Sequence, residues 1–189
     1  MATRKIAVLV GSLRKESYTR KLAKSLMLAA PPTLELEIVD ISQLPLYNQD
    51  DETETPPATW TEFRGRIREA EGVLFCTPEY NRSLPGVLKN AIDVGSRPYG
   101  KSAWKGKPAA VMTVSPGAMG GFGANHHLRQ SLVFLDMPAM PQPETYIGAA
   151  GDLFDDAGGL KKPETKPFLD KFLAAFAAWI ERTAAKPPA

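Results

Sequence analysis

The chain is short of the residues on which several protein chemistries depend. It has one cysteine, Cys76, which excludes an internal disulfide and a zinc site built from several thiolates. Its two histidines, His126 and His127, are adjacent. Neighbouring helical residues point in different directions, so they do not form a ligand pair, and no metal site is expected. No apolar run approaches the roughly 20 residues of a membrane span. Lys5 leads directly into a strand-like segment, so no leader is expected. The formal charge of +2 is close to neutral, and the basic residues are spread out, with the densest group between Arg97 and Lys107. That is not the basic stripe of a nucleic-acid binder. There is no G-x-x-x-x-G-K-[ST] for nucleoside triphosphate hydrolysis. Nor does a G-x-G-x-x-G follow the first apolar run, which argues against a tightly held dinucleotide. With 189 residues, the expectation is one domain over 1–189, without membrane or nucleic-acid partners and located in the cytoplasm.

What is present is an alternation of apolar runs and helical patterns, the mark of βαβ units around a parallel sheet. Lys5–Val10 is apolar without alternation, as a fully buried strand should be. Ser17–Ala30 has Leu22, Leu26 and Ala29 near one face and is stopped by Pro31 and Pro32. Leu34–Val39 alternates leucine with glutamate, as a half-exposed edge strand does. Leu44–Pro57 reads as an acidic, proline-punctuated loop, and Thr59–Ala70 as a helix. Further strands are expected at Val73–Thr77 and Pro108–Val114, with a short fifth strand within Met137–Ile147. Further helices are expected at Leu84–Gly95, from about Asn125 to Leu135, and at Lys166–Thr183. Gly148–Gly159 reads as loop. The last helix carries Phe168, Leu169, Phe172, Leu173, Phe176 and Ile180 as one apolar stripe, suited to a core or a subunit contact. The tail from Ala184 should fray. The resulting expectation is an α/β fold, a three-layer sandwich around a five-stranded parallel sheet. Ligands of such doubly wound sheets sit at the carboxyl ends of the strands, where strand order reverses.

Three expected strands end in unusual loops. After the first comes Gly11-Ser12-Leu13-Arg14-Lys15-Glu16-Ser17. Gly11 allows a sharp turn, Ser12 and Ser17 supply hydroxyls, and Arg14 supplies a planar cation. The helix starting near Ser17 adds free N–H groups that favour an anion. The loop suits a phosphate. After the third strand comes Pro78-Glu79-Tyr80-Asn81-Arg82-Ser83-Leu84-Pro85-Gly86. It offers a rigid proline, an aromatic face and an amide to a flat ring, whose polar edge backbone N–H groups of the loop can meet. After the fourth comes the glycine-rich Ser115–Gly123, suited to close backbone approach by a ligand, with Met119 and Phe122 read as packing residues. Cys76, Arg82 and Ser83 also match the Cys-x5-Arg-Ser spacing of tyrosine phosphatases. However, Pro78 removes an N–H that a phosphate-wrapping loop requires, and a cysteine ending an apolar strand is more often inert.

With these residues laid out, the chain resembles the NAD(P)H-dependent FMN reductase family of flavodoxin-like fold, which includes soluble quinone and chromate reductases. The resemblance rests on Gly11-Ser12-Leu13-Arg14 with Ser17, on Pro78 through Arg97, and on Ser115-Pro116-Gly117. It implies strand order 2-1-3-4-5. It implies that Ser12, Arg14, Ser17 and Thr19, with Tyr18 between them, hold the FMN phosphate. Pro78, Glu79, Tyr80 and Asn81 would cradle the isoalloxazine, with Ser115 and Gly117 nearby. The implied reaction is a ping-pong one, in which NADPH or NADH gives hydride to the flavin and a quinone then collects the electrons at the same face. Chromate, azo dyes or free flavin are further acceptors it implies. The cofactor performs that chemistry, so no catalytic side chain is assigned. Family members assemble as homodimers or homotetramers, with Asn48–Glu54 and Arg97–Trp104 as expected interface pieces. The competing readings are a non-enzymatic flavodoxin-type electron carrier and, more remotely, the phosphatase.

Overall fold

The structure, a computed structural model, describes residues 2–155 and 159–183. Strands β1 (Arg4–Val10), β2 (Leu34–Ile38), β3 (Gly72–Thr77), β4 (Ala109–Val114) and β5 (Thr145–Ile147) form one sheet in the order β2-β1-β3-β4-β5. Every pairing is parallel. All residues of β3 and β4 are buried, and their unbroken apolar character follows from having a helical layer on each side. Alternate residues serve the two layers. Ala7, Leu9, Val73, Phe75 and Val111 pack with α2 (Ala58–Glu69), α3 (Gly86–Gly95) and α4 (Phe122–Phe134). Ile6, Val8, Leu74, Cys76 and Met112 pack with α1 (Tyr18–Ala29) and α5 (Thr165–Thr183). Each fully buried leucine, isoleucine or phenylalanine contributes about 1.5–3 kcal/mol relative to exposure, so the two layers hold the sheet between them.

The edges differ from the centre. β2 buries Leu34 and Leu36 and turns Glu35 and Glu37 outward, and Glu37 pairs with Arg66 of α2. β5, on the opposite edge, has only three residues.

The helices follow the sequence pattern with particular exceptions. Ser17 caps α1, its hydroxyl oxygen accepting from Arg20 N–H at 3.1 Å. α3 starts at Gly86 after Pro85 rather than at Leu84. α4 starts at Phe122, a turn earlier than the sequence pattern indicates. In α5 the aliphatic and aromatic stripe is fully buried except Phe168, which is 42% exposed because it lies in the first turn, at the rim of the layer. The Leu44–Pro57 loop contains a single 3-10 turn at Gln49–Asp51, and Ala150–Asp152 forms another. The tail expected to fray from Ala184 lies outside the described residues.

Strand order reverses between β1 and β3. Val10 registers with Cys76, Cys76 registers with Met112, and Gly11 N–H donates to the Cys76 carbonyl at 2.8 Å. The three special loops therefore leave the sheet side by side.

Candidate functional site

The loop after β1 is open and supplied with donors. Ser12, Ser17 and Thr19 are buried, while Arg14 and Lys15 are exposed. Ser17 accepts from Arg20 N–H, which leaves its hydroxyl proton free to donate. The first backbone bond of α1 runs from Lys21 N–H to the Ser17 carbonyl, so the N–H groups of Tyr18 and Thr19 are among the unpaired donors of a helix start. No acidic residue occupies that first turn. This is the donor set of an anion site. Gly11 serves a different end from the sharp turn expected of it. It has no left-handed φ, and a Cβ there would sit 2.5 Å from Thr77 Oγ1. It is glycine because β1 and β3 close tightly beneath the loop.

The loop after β3 is a strained two-residue turn. Asn81 and Arg82 have φ of 51° and 64°, and Tyr80 and Ser83 exchange both backbone hydrogen bonds, at 3.0 and 2.9 Å. That geometry is a type I′ hairpin turn, where asparagine is favoured and arginine is not. The N–H of Tyr80 is therefore spent within the turn. Among the described residues, those of Glu79 and Asn81 have no protein partner. Tyr80 is 54% exposed and stands at the rim. The Glu79 side chain turns away from the rim, and its Oε2 accepts from Ala124 N–H at 2.9 Å, at the start of α4. α4 has no cap of its own, since Gly121 stands at that position with φ of 83°. A carboxylate from another loop performs the task, where it also meets the positive end of the helix dipole.

Three of the glycines after β4 are closely hemmed in by protein. A Cβ on Gly120 would meet the Tyr146 carbonyl carbon at 2.6 Å. One on Gly121 would meet Thr113 at 2.9 Å, and one on Gly123 would meet the Arg82 carbonyl oxygen at 2.8 Å. They allow α4 to start close against β5, β4 and the ring loop. Gly117, by contrast, has open space, and its N–H donates to Ser115 Oγ at 3.1 Å. Met119 and Phe122 are 60% and 45% exposed, so neither is a core residue, although Phe122 packs against His126 and Tyr146. The two histidines turn to separate partners. His126 Nε2 lies 3.0 Å from the Tyr146 hydroxyl, and His127 Nδ1 lies 2.7 Å from Ser83 Oγ. Burial and the neighbouring Glu144 push the Tyr146 phenol up to about 12.

Between the loops lies a cleft of about 170 Å³. Ser12, Arg14, Ser17, Tyr18 and Thr19 line one wall, and Pro78, Glu79 and Tyr80 the other. Val114, Ser115 and Pro116 close the end. Of the residues that the resemblance assigns to FMN, only Asn81 and Gly117 stand outside the lining. Tyr18 also stacks on Phe154 at 6.4 Å, which fixes its wall.

Cys76 is fully buried, and desolvation pushes its thiol up to about 12. A phosphatase requires a thiolate near neutral pH, so that reading is overturned. Most of Asn48–Glu54 and the Tyr99–Lys101 turn are exposed, and a few side chains of the segments expected at an interface turn inward. Glu52 forms a bidentate pair with buried Arg64 at 2.9 and 2.6 Å, and Trp104 lies in the core against Phe63 and Phe75. Leu46 and Tyr99 remain 80% and 89% exposed. Sequence reading places Asn90 on the helix after Pro85-Gly86 but gives it no role. Its side chain accepts from Tyr47 N–H at 2.8 Å and donates to the carbonyls of Leu44 and Pro45. An asparagine in a largely apolar helix was the available signal.

The family model for NADPH-dependent FMN reductases matches residues 4–152. A quinone reductase of Pseudomonas putida is 64% identical, over 93% of this chain and 94% of its own. The structure of a flavoenzyme NAD(P)H:(acceptor) oxidoreductase from Paracoccus denitrificans superimposes with a TM-score of 0.90 at 41% identity, covering 97% of this chain and all of that one. A flavodoxin variant of Pseudomonas aeruginosa shares the fold alone, with a TM-score of 0.60 at 18% identity over 94% and 99% of the two chains.

Proposed function

The chain belongs to the NADPH-dependent FMN reductase family, and from that premise we propose that it passes electrons from NAD(P)H through FMN to quinones, in two half-reactions at one open face. The observation that carries this reading is the shared cleft, whose walls come from a donor-rich anion loop and a ring loop.

The residues fit FMN. Ser12, the Ser17 hydroxyl, the free N–H groups at the start of α1 and the Arg14 guanidinium suit a phosphate dianion without a metal. A cleft of about 170 Å³ is smaller than the roughly 300–1,000 Å³ of pockets that enclose a whole ligand. It would hold the phosphate and sugar-alcohol chain, and Pro78, Tyr80 and Asn81 would support the ring at the rim. Bound there, FMN supplies the hydride-accepting and hydride-donating chemistry. The chain contributes position. Pro78 and the mutually bonded Tyr80–Ser83 turn fix the rim, and the N–H groups of Glu79 and Asn81 have no protein acceptor among the described residues. Ser115 ends the cleft, with Gly117 leaving space beside it. A rim exposed to this degree admits acceptors of different sizes and shapes, so chromate, azo dyes and free flavin belong to the proposal alongside quinones. We extend it to a homodimer or homotetramer in the cytoplasm.

The test is the visible spectrum of purified protein, followed by anaerobic NADPH or NADH and then a benzoquinone. Flavin bands that bleach with reductant and return with quinone are expected. Bands that neither nucleotide bleaches favour an electron carrier, and a protein that neither holds nor takes up FMN overturns the proposal.

A further inference from the structure

The ring loop meets α4 at three points within five residues of the helix, Gly123 to His127. Glu79 Oε2 accepts from Ala124 N–H at 2.9 Å, and the Arg82 carbonyl rests where a Cβ of Gly123 would otherwise be, 2.8 Å away. Ser83 Oγ lies 2.7 Å from His127 Nδ1. The last contact joins residues 44 positions apart, and neither belongs to the cleft lining. A turn with two non-glycine residues at positive φ costs of order 1 kcal/mol or more per strained residue and persists only where its surroundings hold it. α4 is that support. Its own start is fixed by Gly120 and Gly121 against β5 and β4, so it is a firm backstop and not a second mobile piece.

We propose that Ser83 and His127 are positioning residues, a clasp that with Glu79 holds the ring loop against α4 and so sets how tightly and how rigidly the flavin ring is held. The proposal rests on the FMN reading above. Neither residue touches the cofactor site. They act by keeping the rim of Pro78, Tyr80 and Asn81 in the place where a ring can lie on it. A bound flavin in a fixed asymmetric site has strong visible circular dichroism, and one beside a loosened loop has less.

The experiment titrates FMN into apoprotein for the unmodified chain, Ser83→Ala, Ser83→Thr, His127→Ala and the double variant S83A/H127A. It also records visible circular dichroism at saturation and the melting temperature of each apoprotein. Loss of the hydroxyl or the imidazole is expected to weaken FMN by about five- to tenfold, the effect of one hydrogen bond, and to reduce the dichroism. The double variant is expected to be no worse than either single one, because both break the same contact. Ser83→Thr, which keeps the hydroxyl, should restore both readouts. Should His127→Ala fail to fold, Ser83→Ala carries the test, since it removes only one hydroxyl group. FMN affinity and dichroism unchanged in Ser83→Ala, or losses that simply add in the double variant, overturn the clasp alone. Failure of the unmodified chain to bind FMN overturns the functional reading itself.

Discussion

The two walls of the cleft are built on opposite principles. The loop after β1 keeps most of its donors free. Arg14 is exposed, the N–H groups of Tyr18 and Thr19 have no helical acceptor, and Ser17 retains a proton to give. The loop after β3 spends most of its polar groups on protein. Tyr80 and Ser83 satisfy each other, Glu79 caps α4, and Ser83 reaches His127. A wall that binds charge must leave donors unsatisfied, whereas a wall that supports a flat ring needs shape. On the proposed reading, side chains on the first would act by contact, and most of those on the second by holding the loop still.

Substitutions on the two walls should therefore separate affinity from stability. Arg14→Ala is the largest expected effect, a weakening of FMN by about 10- to 100-fold from one lost charge-assisted bond, with an unchanged melting temperature. Fluorescence titration of the apoprotein measures it, and unchanged affinity would remove Arg14 from the anion site. Gly123→Ala should do the opposite. Its Cβ would press on the Arg82 carbonyl, and overpacking of this kind costs about 1–3 kcal/mol, seen as a lower denaturation midpoint. A fully stable Gly123→Ala protein would show the ring loop to be free of α4. Glu79→Ala removes the distant cap of α4, worth about 1 kcal/mol, while Glu79→Gln keeps an accepting oxygen and should recover part of the loss in the same denaturation series.

The smallest effect is expected at Cys76, which lies beneath both walls. Burial raises its thiol from 9.0 to about 12, so the folded state favours the neutral form. That contribution to stability is complete below the unfolded value and is lost as pH rises from about 9 to about 12. Cys76→Ala should leave quinone reduction unchanged and flatten this part of the alkaline unfolding profile. Rapid alkylation of the native thiol at neutral pH would contradict the burial.

The anion wall was legible in the sequence because its chemistry is local. Serine, arginine and a helix start within eight residues of Gly11 need no distant partner to be recognised. The order of the sheet was likewise implied by the family resemblance, and β1, β3 and β4 stood out as unbroken apolar runs. The ring wall was legible only as a location. The partner of Glu79 lies 45 residues away and that of Ser83 lies 44 away, and no spacing rule connects them. The start of α4 was misplaced for a related reason. Gly120, Gly121 and Gly123 have poor helix propensity, but close packing against Tyr146, Thr113 and Arg82 requires them, and tertiary packing overrides propensity. Phe122 suffers the same fate. An aromatic beside glycines looks like core, whereas the early helix start puts it at the surface.

The two edges of the sheet bear on how copies of the chain can meet. An unpaired strand is a template for another molecule's backbone. On one side, β2 is short and carries Glu35 and Glu37 on its outward positions, with Glu37 engaged by Arg66. On the other, β5 offers only three residues, too little to nucleate pairing. Growth by sheet extension is thereby discouraged at both ends, so copies of the chain would have to meet through other faces than the sheet edges.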